Sequence, residues 1–293
     1  MGHVDHNRVR QLAAEKLTDV QIGAIVGCHP GYARLIRTGA VKRRGEGGTD
    51  QSRKESKPLM GRRSPGMPPF DHPAIMGLRT IFPSLVREPD EYAVLKSGYQ
   101  HAKIGKRITR GKWKGFEIYT LTLEERATCP RDCQLLRSCY GNNLQFAVRY
   151  RHGPRLEARL AEEVKTLAAK HPGGFAVRLH ILGEFYSVEY VALWARLLDL
   201  HPALHVFGFT ARHDVERDPI AAAVLALTNA RRDRFNIRRS NAAASPWATS
   251  AIEHPYARPR GSVVCPSELG KVANCASCGF CWSSPKLVCF IRH

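Results

Sequence analysis

The stretch Phe175-Ala-Val-Arg-Leu-His-Ile-Leu182, closed by Gly183-Glu184-Phe185-Tyr186, decides the fold. A short apolar run ended by glycine reads as a buried strand. Ser187 then introduces an apolar helical stretch from Val188 to Leu200. His205 to Thr210 reads as a second strand, Ile220 to Ala230 as a second helix, and Phe235 to Ser240 as a third strand. Strand, helix and strand in this succession imply parallel pairing with right-handed crossovers. In parallel α/β sheets and barrels, chemistry collects at the carboxyl ends of the strands. Those ends carry Gly183, Glu184, Thr210, Arg212, Ser240 and Asn241.

The cysteines point to the kind of chemistry. Cys275, Cys278 and Cys281 lie in Cys-Ala-Ser-Cys-Gly-Phe-Cys-Trp, three thiols on one short loop. Iron–sulfur cubanes use such tight triples, whereas zinc sites more often use two separated Cys-x2-Cys pairs. Cys129, Cys133 and Cys139 form a second, looser group, and Cys28, Cys265 and Cys289 complete the nine. A disulfide framework suits small secreted domains. This chain has 293 residues, and its polar start, Met-Gly-His-Val-Asp-His-Asn-Arg, lacks the apolar core of a secretory leader. The expectation is therefore a cytoplasmic metal or cluster protein, with [4Fe-4S] preferred and zinc as the alternative. Glu124-Glu125 and Glu162-Glu163 are expected to face solvent on helices.

Charge indicates the partner. Forty-five Lys and Arg against twenty-six Asp and Glu give a net +19, which attracts polyanions, nucleic acid above all. The positive charge is concentrated in three runs: Arg37 to Arg63, Lys96 to Lys114, and Arg231, Arg232, Arg234, Arg238 and Arg239. No run of eighteen apolar residues exists, so no membrane partner is expected. Residues 1–44 read as three short helices. Val9, Leu12 and Ala13 share a helical face, Thr18 or Asp19 caps a helix reaching Val26, and Pro30 opens another that reaches Arg37. Ile22, Val26, Ala33 and Ile36 would form a small core, with Gly23 permitting close approach and Gly27 turning the chain. This is helix-turn-helix spacing, whose second helix enters the major groove of DNA. His29, Tyr32, Arg34, Arg37, Lys42, Arg43 and Arg44 are the candidate DNA contacts. Residues 45–73, rich in Gly, Ser, Pro and basic side chains, read as a tether, and 74–293 as the body.

The body also resembles the "gene product eighty-eight" family of phage and mobile-element proteins. The resemblance rests on Leu95-Lys-Ser-Gly98 through Lys103-Ile-Gly-Lys106, Thr128-Cys-Pro130 with Cys139-Tyr140, and Arg178 to Ser187. It continues through Phe209-Thr-Ala-Arg212, Cys265-Pro266, Cys275 to Trp282 and Phe290 to His293. In layout the family is similar to divergent radical S-adenosylmethionine enzymes, in which three cysteines precede an α/β half-barrel and an auxiliary cluster follows. That likeness implies an open site at Cys129, Cys133 and Cys139 and a closed one at Cys265, Cys275, Cys278 and Cys281. It makes Gly183, Glu184 and Thr210 candidate cofactor contacts for S-adenosylmethionine, and Glu184 and Arg212 candidate catalytic residues. The x3 and x5 cysteine spacing departs from the radical-enzyme pattern of x3 and x2. A division of eight cysteines into two fours, with Cys289 as a ligand, remains open from spacing alone. His180 and His293 are candidate extra ligands.

The fold class expected is α/β: a partial parallel (β/α) barrel-like body with Cys-rich metal or cluster sites, plus a small all-α head. The function expected is a DNA-binding iron–sulfur protein of regulatory or redox-sensing role. The alternatives are a radical S-adenosylmethionine-like enzyme acting on nucleic acid and a zinc-stapled DNA-binding protein.

Overall fold

A computed structural model describes residues 4–38, 66–242 and 245–291. The chain divides into two compact units, Met1–Gly61 and Arg62–His293. In the first, three helices span His6–Ala14 (α1), Asp19–Val26 (α2) and Pro30–Arg37 (α3). Each begins where a side chain can accept from free backbone N–H groups. The Asp5 carboxylate takes the N–H of Asn7 and Arg8, Thr18 and Gln21 form a capping box, and His29 Nδ1 accepts from Gly31. Gly27, at φ 69°, ends α2 in the left-handed conformation. Val9, Leu12, Ile22, Ala33 and Ile36 make the core, with Val26 and Cys28 packed at its edge. A Cβ on Gly23 would sit 2.7 Å from the Cys28 carbonyl oxygen, so only glycine allows this turn. Lys42, Arg43, Arg44 and tether residues 45–65 lie outside the described residues.

The second unit is mixed α/β. In chain order it comprises α4 (Pro73–Met76), β1 (Val86–Arg87), β2 (Lys96–Ser97), β3 (Glu117–Thr120), β4 (Arg149–Tyr150), α5 (Pro154–Lys170), β5 (Phe175–Leu179) and α6 (Val188–Leu200). There follow β6 (Leu204–Thr210), α7 (Pro219–Ala230), β7 (Phe235–Ser240), β8 (Ala248–Ile252), β9 (Val263–Val264), α8 (Cys275–Cys278), α9 (Phe280–Ser283) and β10 (Val288–Ile291). Eight strands form one sheet in the order β2-β3-β5-β6-β7-β8-β10-β9, parallel except for β2. The helices α6 and α7 make the crossovers between β5, β6 and β7. The first strand is shorter than its apolar run suggests: β5 stops at Leu179, and His180 to Leu182 already belong to the loop that carries Glu184. No described helix is long and apolar enough to cross a membrane.

Side-chain alternation gives the sheet two different faces. Phe175, Val177, Leu179, Leu204, Val206, Phe235 and Ile237 join the large core that includes α5 and α6. On the opposite face Ala176 and Phe207 pack with Ile104, Ile108, Trp113, Ile118, Ala276 and Trp282. There the indoles of Trp113 and Trp282 stack in parallel, 5.5 Å apart at 9°. The same face carries the buried Arg238. Its guanidinium donates to the carbonyls of Cys281 (2.8 Å), Lys286 (3.0 Å), Ala248 (3.2 Å) and Ser284, tying the C-terminal segment to β7.

Residues at the end of the expected tether bond into this unit. Gly66 O accepts from Asn142, Pro68 O accepts from Arg137, and the Arg137 guanidinium lies 3.6 Å from the Phe70 ring centroid. The glutamate pairs also depart from expectation. Glu124 and Glu125 are buried in a loop, because Arg79 and Arg149 supply matched bidentate donors. Glu163 lies on α5 but accepts the N–H groups of Val94 and Leu95.

Two substitutions test this assignment of contacts. Thr18→Ala should destabilise the head by about 1 kcal/mol, read as faster hydrogen exchange in α2. Arg238→Met leaves several buried carbonyls without donors and should cost about 3 kcal/mol or more, with exchange protection lost first across residues 281–291.

Candidate metal centre at the strand ends

Glu184 is buried in the loop at the carboxyl end of β5, beside that of β6. It enters that position because Gly183 adopts φ 81° and passes where a side chain could not. A Cβ there would meet Leu123 Cβ at 2.6 Å and Thr128 Oγ1 at 2.7 Å. The Thr128 hydroxyl donates to Glu124 O and accepts from the Glu184 N–H, so the loop before Cys129 fixes the backbone of Glu184. The carboxylate accepts from Thr210 Oγ1 (2.7 Å), Ala211 N (2.6 Å) and Phe185 N (3.4 Å). Burial raises its pKa above the ordinary carboxylate value, opposed by those hydrogen bonds and by the charge of Arg212.

Arg212 is a clamp in this arrangement. Its Nε donates to Phe185 O (2.6 Å), Nη1 to Asp218 (2.7 Å) and Nη2 to Thr128 O (3.3 Å). The expected cofactor and catalytic set, Gly183, Glu184, Thr210 and Arg212, is thus one connected cluster. Thr128 and Phe185, quoted above only as motif residues, belong to it too, as does Asp218, which sequence did not single out.

The central cysteines lie beside it. The Cys129 thiol is within electrostatic reach of Glu184, Cys139 and Cys133. Desolvation raises the pKa of all three, with Cys139 pushed up to about 11. Beneath the loop, Glu125 pairs with Arg149 (2.9 Å) and accepts from Thr80 Oγ1, while Arg126 bonds Leu136 O and Asn142 Oδ1. This fully buried network holds the loop that carries Cys133 and Cys139.

Cys265, Cys275, Cys278 and Cys281 form the second group, and their thiols lie within electrostatic reach of one another. Burial pushes Cys275 up to about 11 and Cys281 to about 12. Asn274 caps α8, whose backbone bonds to Lys103 O and Ile104 O; Lys103 in turn pairs with Glu268. Arg178 faces this group from β5. Its Nη1 donates to Leu179 O and His180 O, its Nε is buried without a partner, and the Cys275 and Cys281 thiols and Glu184 lie within its electrostatic reach. A charged residue in the run Phe-Ala-Val-Arg-Leu was the available sequence signal for it.

All nine cysteines are free thiols. Among the described residues, no three His, Cys, Asp or Glu side chains are gathered closely enough to hold a metal ion. Cys289 is buried in β10 beside Ile252 and Val264, packed as a strand residue. His180 uses Nε2 on Tyr190, burial depresses its pKa to about 3, and His293 lies outside the described residues. In the head, His29, Tyr32, Arg34 and Arg37 are exposed on α3 and its cap. His29 is occupied as that cap, Tyr32 contacts His6, and Arg37 is held by Asp19 at 2.9 and 3.1 Å.

The pKa of Glu184 has a measurable consequence. A folded-state pKa raised above the ordinary carboxylate value means that the folded protein retains the proton longer than the unfolded chain. That contribution is fully present below the unfolded pKa and declines as pH rises through the folded value. Glu184→Gln should therefore close the stability gap to the parent as pH rises, measured by denaturant unfolding across the acidic to neutral range.

No curated protein and no solved structure matches the chain. A sequence model of one family, Gene product 88, matches residues 94–284. That span covers both cysteine groups and every strand from β3 to β8, so the chain belongs to the Gene product 88 family.

Proposed function

We propose that the chain is a DNA-associated iron–sulfur protein, with a helix-turn-helix head that reads duplex DNA and a body that holds one or two [4Fe-4S] clusters. The observation that carries the reading is the desolvated C-terminal thiol group set beside two buried arginines. Arg178 and Arg238 lie near Cys275 and Cys281 without a carboxylate partner among the described residues. An anionic metal–thiolate centre is the species that such cations would compensate. Cys265, Cys275, Cys278 and Cys281 would form a closed set, and Cys129, Cys133 and Cys139 an open one. Neutral, buried thiols lose their protons on ligation, so loading should release acid. The body sheet is read as part of a parallel (β/α) barrel with both groups at or beside its inner face.

Anaerobic purification should give a brown protein with iron near eight per chain for two cubanes. A colourless protein containing zinc would replace this reading with a zinc-stapled one. In the head, the exposed side of α3 supports duplex recognition through Arg34 and Tyr32, with Lys42, Arg43 and Arg44 following in the chain. Arg34→Glu should weaken duplex affinity by about tenfold and flatten its dependence on salt, measured by fluorescence anisotropy.

A second reading is supported by Glu184 alone. A buried carboxylate at a parallel-strand end, next to an incomplete thiol set, suits the ammonium of S-adenosylmethionine. When bound, that cofactor would supply radical chemistry; Glu184 would hold its amino group, and Thr210 and Arg212 would position the carboxylate of Glu184. Reduced, cluster-loaded protein should then cleave the cofactor, and Cys133→Ala should abolish cleavage. Absence of turnover in fully loaded protein leaves the regulatory or redox-sensing role.

A further inference from the structure

Two of the three basic runs meet at one cavity, at the amino ends of β7 and β8 and away from Glu184. Its volume is about 450 Å³, within the range of small-ligand sites. Lys112 comes from the first run, Arg232 and Asp233 from the second, and Trp247 and Trp282 supply aromatic walls. The Lys112 ammonium approaches Arg232 O at 3.5 Å, which brings the two runs together. The Arg232 guanidinium lies 4.7 Å from the Trp247 ring centroid, with Nη2 bonded to Asn229. Arg232 Nη1 and the Trp282 indole N–H are buried without a hydrogen-bond partner. Trp247 itself is held at φ 61°, its N–H donating to Pro285 O. A bulky residue in that backbone region is uncommon and is retained where the surroundings over-determine it.

A stacked cation and indole, free donors and room for one base with its sugar describe a particular ligand chemistry. Bases stack on tryptophan rings and arginine planes, while lysine and arginine neutralise the attached phosphate. Asp233 also lines the cavity, largely exposed, paired with Arg234 at 3.6 Å and within electrostatic reach of Lys112, so two cations face one carboxylate there. We propose that this cavity binds a nucleotide unit, its base against Trp247 and its phosphate at Lys112 and Arg232. The net charge of +19 favours a nucleotide within a single strand over a free one. The site rests on the body alone and stands whether or not the head reads duplex DNA.

The test uses full-length protein carrying Arg34→Glu, to weaken the contribution of the head, and a short fluorescein-labelled oligothymidylate. Trp247→Ala and Arg232→Gln should each weaken binding by about tenfold, the size of one lost base stack. Trp247→Phe should retain most of the affinity. Lys112 is exposed, so Lys112→Gln leaves the fold intact and should reduce the salt slope by about one. Competition by thymidine monophosphate at similar concentration would identify a free-nucleotide site; failure to compete would identify a strand site. Affinity within about twofold of the parent in Trp247→Ala and Arg232→Gln, or an equal loss in Trp247→Phe, overturns the proposal. Duplex binding by protein with the parental head separates this result from failure of the head, because Trp247→Ala should leave it unchanged.

Discussion

Two guanidinium groups buried on one face of the sheet, Arg178 and Arg238, constrain everything packed against them. Neither has a carboxylate partner among the described residues, and burial lowers the pKa of both. A buried cation is tolerated only where acceptors saturate it. For Arg238 the acceptors are backbone carbonyls of the C-terminal segment, so the chain after Cys281 must return to the sheet at one place. For Arg178 they are the carbonyls of Leu179 and His180, and the remaining charge faces Cys275, Cys281 and Glu184. The positions of the C-terminal thiols and of Glu184 thus follow from the same demand.

The central cysteine loop obeys a different logic. It has little apolar content, and its shape comes from the buried pairing of Glu125 with Arg149 and from Arg126 on Leu136 O and Asn142. Breaking one member of such a network strands a charge away from water, so its geometry is strongly specified. Gly183 then joins this loop to the sheet, because Thr128 and Leu123 occupy the space a side chain would need.

Much of this was legible in the sequence, for identifiable reasons. The helices Asp19–Val26 and Pro30–Arg37 match the sequence reading because local signals set their ends: Thr18 or Asp19 before the first, Gly27 and Pro30 between them. The helices Val188–Leu200 and Pro219–Ala230 and the strand Phe235–Ser240 carried equally local patterns. By contrast, β8, β9 and β10 span only five, two and four residues and no helical pattern joins β7 to β8, so periodicity could not reveal them. Glu124 and Glu125 were misjudged because burial depended on Arg79 and Arg149, which lie well away in sequence. Gly183, Glu184, Thr210 and Arg212 were placed at the strand ends by the order of elements, but the engagement of Arg212 with Asp218 and Phe185 needed coordinates.

The stack of Trp113 on Trp282 gives the protein an optical property of its own. Two nearly parallel indoles at this separation share their electronic excitation, so their joint absorption and circular dichroism differ from those of isolated tryptophans. One ring belongs to the loop before β3, and the other directly follows Cys281. The coupled band therefore exists only while the C-terminal cysteine segment is seated on the sheet. Docking of that segment is written into the near-ultraviolet spectrum of the unlabelled chain.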